Sequence, residues 1–409
     1  MIHMHHHLYK NFSLVRKLNL HFSVLWALYW MGWGALWSYL SVFLLYRGFT
    51  NAQIGLVTGC TSLLCIFIQP ALAALADRDH RFTSRRLAMG LTVLLMVFGT
   101  WAWLSSSTLL TAVLLVISGI AVTNIPPHFN AMNMNMALRG LDVNFGASRG
   151  CGSAAYALTA LVLGALLERH APTLLMPVFL TCFGGLLAAL LLMRYPLPSL
   201  DTDSKARVAP VVLSNFSLLR HYPRFALMLA ACALLQISRI PSITYMNHIV
   251  GKVGGTESAM GIALFISALV ELPAMVIFTR LRRKLPLHWL LIGCSLFFVL
   301  RDALFLLAGT TTVVYLACAM QAPSYAIFLP ATVYYVTEEI DIANQVKGQA
   351  LVYTATSGIG SALGSLCSGY LLDHGGVPST LIFGTLCALL GAAVMTLALS
   401  SGKRKETST

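Results

Sequence analysis

Residues 263–278 read Ala263-Leu-Phe-Ile-Ser-Ala-Leu-Val-Glu-Leu-Pro-Ala-Met-Val-Ile-Phe278, an apolar stretch whose one charged residue is Glu271. A carboxylate at the centre of a bilayer costs at least ~2.5–3.5 kcal/mol unless it is paired, hydrated or protonated. Only 14 acidic residues occur in the chain, and Glu271 and Asp302 are the two that fall well inside long apolar stretches. Both are therefore candidates for carrying a proton.

The composition indicates an all-α integral membrane protein. Hydrophobic residues make up 57% and charged residues 10% of the 409 residues, with a mean hydropathy of +0.77, whereas a soluble protein carries roughly 25% charged residues. A helix is the expected spanning element because it satisfies its own backbone hydrogen bonds. Since a span needs about 20 residues, we predict twelve, at 18–46, 52–76, 86–106, 108–139, 146–168, 171–194, 223–249, 257–279, 285–308, 311–337, 345–372 and 377–400.

The basic residues alternate between the predicted loops. Most of the 27 lysines and arginines fall in the termini and in every second loop, whereas the opposite loops hold only Arg47, Arg169 and Lys252. This is the positive-inside distribution of a multi-pass membrane protein, and it predicts that both termini are cytoplasmic. The net charge of +13 therefore orients the chain and requires no nucleic-acid partner.

The longest polar stretch divides the chain into halves of six spans each. We predict an N-terminal six-helix bundle over 1–194, a cytoplasmic linker over 195–222, and a C-terminal six-helix bundle with a short tail over 223–409. Two pseudo-symmetric halves around a midplane site are typical of secondary transporters. No Gly-x-x-x-x-Gly-Lys-Ser/Thr motif occurs, so neither an ATP-driven pump nor an enzyme is expected. The nine cysteines show no metal-ligand spacing, and no metal or cofactor is expected other than the proton as coupling ion.

The loop after span 2 reads Ala73-Ala-Leu-Ala-Asp77-Arg78-Asp-His80-Arg81. It resembles the Gly-x-x-x-Asp-Arg/Lys-x-Gly-Arg signature of the major facilitator superfamily, with both glycines substituted. The resemblance implies that Asp77, Arg78 and Arg81 form a latch that holds neighbouring helices in one conformation. A positive loop that only orients the chain is the alternative.

Span 5 opens Phe145-Gly-Ala-Ser-Arg149-Gly-Cys-Gly152-Ser153-Ala-Ala-Tyr156. This is similar to the lactose permease or oligosaccharide:proton symporter group, which also contains phenylpropionate permeases. The resemblance implies that Arg149 grips the solute and that Tyr156 stacks on it. It extends to Glu271 in span 8 and to Gln236 in span 7, Arg301 in span 9 and Gln321 in span 10, and it implies that the last three bind the solute from the other side of the site.

The positions that carry the proton in lactose permeases are substituted here. Gln321-Ala-Pro-Ser324 stands where that group has a His and a Glu, and Ser357 stands in place of a Lys. Glu271 and Asp302 are therefore expected to couple transport to protons. Span 4 has no Glu to pair with Arg149 and instead offers His128 and Asn130 as further substrate-binding candidates.

Each candidate also has a structural interpretation. Glu271 could be a hydrogen-bonding acid, Asp302 could neutralise Arg301, and Arg149 could face the cytoplasm. Tyr156 could be a packing residue, and His128 could satisfy a carbonyl freed by Pro126-Pro127. The function of Arg239 stays open between pairing with Glu271 or Asp302 and snorkelling. Trp26, Trp30, Trp33 and Trp37 form a stripe along span 1, for which lipid or helix contact is expected.

These features predict proton-coupled uptake of a small polar solute by alternating access, with the solute between the halves. A saccharide or glycoside is favoured, since aromatic faces and polar donors suit sugar rings. An organic or aromatic acid, favoured if the arginines are unpaired, or a nucleoside is the alternative. Drug:proton antiport is disfavoured because span 5 lacks the Gly-x-x-x-Gly-Pro-x-x-Gly-Gly motif of exporters. We expect a monomer in the bacterial inner (plasma) membrane, with the solute, protons and lipid as partners.

Overall fold

The computed structural model describes residues 2–78, 82–141, 143–193, 195 and 214–400, and these residues form helices and turns without a strand. The helices are α1 (Ile2–Leu36), α2 (Leu40–Tyr46), α3 (Asn51–Arg78), α4 (Ser84–Leu104), α5 (Thr108–Leu138), α6 (Phe145–Leu167), α7 (Leu175–Leu192), α8 (Asn215–His221), α9 (Pro223–Thr244), α10 (Met246–Lys252), α11 (Glu257–Lys284), α12 (Leu287–Leu307), α13 (Thr311–Ala319), α14 (Ile327–Glu339), α15 (Gln345–Tyr353) and α16 (Ser361–Ser400).

The apolar helices account for the predicted spans. Eleven helical stretches of the described chain are long and apolar enough to cross a membrane, and the last of them covers 59 residues, Ile342–Ser400. A bilayer core needs only about 20 helical residues, so this stretch contains two spans. Gly376, with φ of 70° and ψ of −170°, interrupts the helix between them. The twelve predicted spans are therefore all present.

Several helices depart from regular α geometry near the polar residues of the spans. Span 10 passes from α13 to α14 through a π-helical turn at Ala322–Ala326, and α15 leads into α16 through a second one at Thr354–Gly360. Such turns are frequent at functional sites. They place Gln321, Tyr325 and Ser361 at or beside irregular backbone.

The first compact unit comprises Met1–Ser38, Phe67–Ala160 and Pro172–Val208. Within it α4 packs against α5 and α7, and α7 packs against α1. Aromatic rings fill the centre: Phe179 and Phe183 have centroids 4.9 Å apart, and Tyr29 contacts Phe129 and Phe183. Thr83 and Ser107 begin α4 and α5 by accepting hydrogen bonds from free backbone N–H groups, as capping residues do.

The second compact unit comprises Tyr39–Ile66, Leu161–Ala171 and Ala209–Thr409. Its centre is the pairing of α9 with α16, against which α12 packs. A buried apolar cluster that includes Phe225, Phe298, Phe328 and Met395 joins these helices to α14. The unit also contains the beginning of α3 and the end of α6.

The division at 194 and 222 and the cytoplasmic location of the termini stay predictions. Residues 196–213 of the predicted linker lie outside the described residues. The described end of the linker forms α8, whose first turn is capped by Ser214.

Candidate functional site

A chain of polar side chains crosses the interior of the second unit. Arg301 of α12 is 2% exposed and donates from Nη1 to Gln321 Oε1 over 2.9 Å. Gln321 donates in turn from Nε2 to Glu271 Oε1 over 2.8 Å. The structure therefore joins three of the predicted residues, from three different spans, in one hydrogen-bonded network.

The direction of these hydrogen bonds follows from chemistry. A guanidinium group can only donate, so the amide oxygen of Gln321 must face Arg301 and its N–H group must face Glu271. Gln321 therefore offers a hydrogen-bond donor to Glu271. A proton on Glu271 Oε1 would oppose the N–H of Gln321, so protonation requires the other oxygen or a broken contact.

Two further partners hold Arg301 in place. Its Nη2 donates to Ser242 Oγ, and its Nε lies 3.4 Å from Asp302 Oδ1. Asp302 is 4% exposed. Two opposite charges at this depth need each other, because removing one leaves the other buried and uncompensated.

Arg239 stacks on an aromatic ring instead of pairing with an acid. Its guanidinium carbon lies 3.5 Å from the ring centroid of Tyr325, and both side chains are partly buried. The ion pairs found within the described residues are Arg282–Glu338 and Arg301–Asp302. The alternative in which Arg239 pairs with Glu271 or Asp302 is therefore not seen among them. An arginine over an aromatic face keeps N–H groups available for a ligand.

Gln236 lies on the same helix as Arg239 but has different partners. It donates from Nε2 to Ser361 Oγ over 3.0 Å. Gly360 allows this approach, since a Cβ at that position would lie 2.9 Å from the backbone oxygen of Ala233 and from Gln236 Cβ. The contact therefore joins α9 to the start of α16.

The first unit holds the aromatic candidate. The ring of Tyr156 in α6 lies 6.1 Å from that of Trp30 and 5.8 Å from that of Trp33, and its hydroxyl accepts a hydrogen bond of 3.0 Å from Ser38 Oγ. The tryptophan stripe of span 1 thus makes helix contact here. These rings form an aromatic cluster of Trp30, Trp33 and Tyr156.

Arg149 lies two turns before Tyr156 on α6. Its guanidinium carbon is 5.8 Å from the ring of Trp26, and the side chain is partly buried. Gly152 permits the close packing, since a Cβ there would lie 2.6 Å from Trp30 Cδ1. The structure therefore brings Arg149 and Tyr156 to the helix face that meets α1.

The remaining predicted residues do not join these groups. On α5, His128 is buried and Asn130 is exposed. Within the described part of the chain, no hydrogen bond, ion pair or ring contact joins either of them to the polar network or to the aromatic cluster. Asp77 and Arg78 end α3. The side chains of both residues and all of Arg81 lie outside the described part of the structure, so the predicted latch stays a prediction.

Two partners of the polar network were not singled out in the sequence. Ser242 follows Arg239 by three residues and Tyr325 follows Gln321 by four, and residues at these spacings share one face of a helix. That spacing was the available signal. Among the described residues no cluster of His, Cys, Asp and Glu could hold a metal ion.

Comparison with known proteins identifies the family. A model described as the MFS_1 like family matches residues 19–383. The chain therefore belongs to the MFS_1-like family of the major facilitator superfamily, whose members are membrane transporters and not enzymes.

Two relatives are similar over most of their length. The chain is 25% identical over 381 residues to the maltose permease of Geobacillus stearothermophilus, covering 92% of this chain and 93% of that protein. It is 23% identical over 400 residues to the uncharacterized transporter YwbF of Bacillus subtilis (strain 168), covering 95% and 96%.

Solved structures confirm the all-α major facilitator fold. The nucleoside transporter NupG superposes with a TM-score of 0.80 at 16% identity, over 95% of this chain and 100% of that chain. A bacterial homolog of the human lysosomal transporter Spinster superposes with a TM-score of 0.73 at 13% identity, over 95% and 97%.

Proposed function

We propose that the protein couples proton entry to the uptake of a saccharide or glycoside across the bacterial inner membrane, as a monomer with cytoplasmic termini. The observation that carries this proposal is the hydrogen-bonded network Arg301–Gln321–Glu271, which connects a membrane-embedded acid to a buried guanidinium cation. Intramembrane ionisable residues that face a protein interior mark ion and substrate pathways.

The coupling mechanism follows from the orientation of Gln321. With Glu271 ionised, the hydrogen-bonded network is complete, and Gln321 is fixed between the charges of Arg301 and Glu271. When Glu271 takes up a proton, the donor of Gln321 loses its anionic acceptor and the cost of a buried carboxylate disappears. Protonation therefore weakens the hydrogen bond that ties Glu271 of α11 to Gln321, and this permits the conformational change.

The saccharide assignment rests on the aromatic cluster and on similarity. Trp30, Trp33 and Tyr156 supply faces on which the C–H side of a sugar ring can stack, and Arg149 supplies a fork of donors for hydroxyl groups. The relative named maltose permease, aligned over nearly the whole chain, supports the same solute class.

Uptake by proteoliposomes containing the purified protein tests the proposal. Maltose, uridine and phenylpropionate are offered with and without an inside-alkaline pH gradient. We expect maltose to accumulate only with the gradient and to leak out when a protonophore is added. Accumulation of uridine or phenylpropionate instead of maltose would overturn the solute class, and accumulation without a gradient would overturn the coupling.

Arg239 favours a second candidate function, the uptake of an organic or aromatic acid. Within the described chain it forms no ion pair, although it lies in a membrane span and stacks on Tyr325. An unpaired guanidinium group in a span is stabilised by an anionic ligand. A carboxylate on the solute would supply that anion.

Substitution of Arg239 distinguishes the two candidates. If Arg239 binds a carboxylate, Arg239→Gln should abolish uptake of phenylpropionate and Arg239→Lys should retain part of it. If the solute is a neutral sugar, both variants should take up maltose at similar rates. Lys252→Gln is the control, since it removes a positive charge at the end of α10, outside the candidate site.

A further inference from the structure

The beginnings of α3 and α11 share a sequence pattern. Residues 48–55 read Gly48-Phe-Thr50-Asn-Ala-Gln-Ile-Gly55, and residues 254–261 read Gly254-Gly-Thr256-Glu-Ser-Ala-Met-Gly261. Both fit Gly-x-Thr-x-x-x-x-Gly. The first glycines have matching left-handed backbones, with φ of 81° at Gly48 and 73° at Gly254.

The ends of two other spans share a second pattern. Residues 164–168 at the end of α6 read Gly164-Ala-Leu-Leu-Glu168, and residues 369–373 in α16 read Gly369-Tyr-Leu-Leu-Asp373. Thr50 and Thr256 are 206 residues apart, and Gly164 and Gly369 are 205 apart. The two patterns are therefore corresponding parts of the two halves of the chain.

Asp373 caps the first turn of α3. Its Oδ1 accepts hydrogen bonds from the backbone N of Asn51 over 3.1 Å and from Asn51 Nδ2 over 2.9 Å, and its Oδ2 accepts from the backbone N of Ala52 over 2.7 Å. The first N–H groups of a helix have no partner of their own, and a negative charge at this end is stabilising. The cap joins segments more than 300 residues apart in sequence.

Glu168 makes a related contact beside the first turn of α11, with a side chain and not with backbone N–H groups. Its carboxylate accepts a hydrogen bond from the hydroxyl of Thr256, the residue that precedes α11. Thr256 corresponds to Thr50 in the repeated pattern, and Glu168 corresponds to Asp373. A carboxylate from one half of the chain thus contacts the start of a helix from the other half in both cases.

The glycines of the second pattern make both contacts possible. A Cβ at Gly369 would lie 2.4 Å from the backbone oxygen of Asn51, and a Cβ at Gly164 would lie 2.7 Å from the backbone oxygen of Glu257. Asn51 and Glu257 occupy the same position of the first pattern. Each glycine therefore lets its own helix pack closely against the start of the partner helix. The acid four residues after the glycine, Asp373 or Glu168, can then reach that start.

Polar side chains close the junction around Asn51. Tyr245 donates to the backbone oxygen of Asn51 over 3.0 Å, and His248 Nε2 lies 2.7 Å from Asn51 Oδ1. Ser41 donates to Asn247 Oδ1 over 2.8 Å nearby in sequence. The contacts of Tyr245 and His248 add to the junction at the start of α3 and would be lost if Asn51 moved away from them.

We propose that Asp373 and Glu168 are a matched pair of gate residues, which hold one face of the transporter shut and are released together during the transport cycle. By the predicted orientation this is the external face. The inference goes beyond the proposed function and holds whichever solute is carried. The proposal requires that loss of the contact at Asp373 weaken the contact at Glu168, and the reverse, because one movement breaks both.

Hydrogen–deuterium exchange of the intact protein in nanodiscs tests this requirement. The peptides that cover residues 50–56 and 256–262 report on the first turns of α3 and α11. We expect Asp373→Ala to speed exchange about fivefold in both peptides, the effect typical of a lost cap, and Glu168→Ala to do the same. Asp341→Asn is the matched control, since Asp341 accepts a hydrogen bond from Tyr222 within the C-terminal half and should change neither peptide.

The result that overturns the proposal is faster exchange in the capped helix alone, or in neither helix. If Asp373→Ala fails to fold, Gly369→Ala replaces it, because the added methyl group pushes α16 from the start of α3 while Asp373 is kept. Faster exchange at residues 256–262 in Gly369→Ala supports the linked gate, and exchange unchanged there overturns it.

Discussion

The side-chain amide of Gln321 donates to Glu271 Oε1 over 2.8 Å, and so connects an acid in α11 to a π-helical turn in span 10. Because Arg301 occupies the other end of the amide, Gln321 cannot reverse without losing both contacts. The protonation state of Glu271 and the position of Arg301 are therefore linked through one side chain. This link is the basis of the predictions for the second unit.

Gln321→Leu should separate Arg301 from Glu271. The substitution leaves a guanidinium N–H and a carboxylate oxygen without partners, at a cost of about 1–3 kcal/mol each. We expect a lower melting temperature and loss of proton-driven accumulation. Ser242→Ala removes only one contact of Arg301 and is the control. Accumulation that equals wild type in Gln321→Leu would show that the amide does not participate in coupling.

The pair Arg301–Asp302 distinguishes charge neutralisation from proton carriage by Asp302. Asp302→Asn alone should destabilise the protein by about 3–5 kcal/mol, since Arg301 is left buried without a counter-ion. The double variant Arg301→Gln/Asp302→Asn removes both charges and should recover most of that stability. Thermal unfolding in detergent gives the comparison. Uphill accumulation is then measured in the stable double variant and in Arg301→Gln/Asp302→Glu. If only the first variant has lost accumulation, proton carriage is assigned to Asp302.

The aromatic cluster predicts a graded series at Tyr156. Tyr156→Phe keeps the ring against Trp30 and Trp33 and loses the hydroxyl that accepts from Ser38, so maltose binding should weaken less than about fivefold. Tyr156→Ala removes the stacking face and should weaken binding severely. Arg149→Lys keeps the charge but loses the two-pronged donor geometry, so affinity should fall sharply. Calorimetric titration with maltose measures all three variants.

The contradictory outcome for this series is specific. Wild-type affinity in both Arg149→Lys and Tyr156→Ala would mean that α6 does not hold the solute. The resemblance to the lactose permease group would then apply to the fold and not to the binding residues.

Topology is tested by single cysteines placed in the linker, at Ser204, and at Thr409, in a background without the nine native cysteines. If both positions are cytoplasmic, as the distribution of Lys and Arg predicts, a membrane-impermeant maleimide should label them only after the cells are opened. Ready labelling of intact cells would contradict the predicted orientation.

The fold was predictable because a bilayer imposes strong constraints on sequence. Every span must be an apolar helix, and charges are sorted between loops, so the spans follow from hydropathy alone. Glu271 was singled out for a related reason, since an acid inside a span is costly, whereas Arg301 and Gln321 were singled out by the resemblance to the lactose permease group. That the three side chains meet in one network is visible only in the structure.

Other parts of the site depend on helix rotation, which sequence periodicity does not determine. Tyr325 and Ser242 are residue types that are common in membrane helices. Tyr325 meets Arg239 from the π-helical turn at Ala322–Ala326, and Ser242 meets Arg301 across α9 and α12. The absence of an ion pair at Arg239 within the described chain likewise depends on distances between helices. The repeat that contains Asp373 and Glu168 is visible in the sequence. The contacts that these two acids make with the starts of α3 and α11 are visible only in the structure.

The most direct test of the central claim is uphill accumulation by Glu271→Gln in proteoliposomes with an imposed pH gradient. Glutamine has the shape of a protonated Glu, and its amide oxygen can still accept the hydrogen bond from Gln321. We predict that accumulation of the transported solute is abolished, while exchange of labelled for unlabelled solute at equal concentrations continues. Undiminished accumulation by Glu271→Gln would contradict the account and would show that Glu271 does not carry the proton.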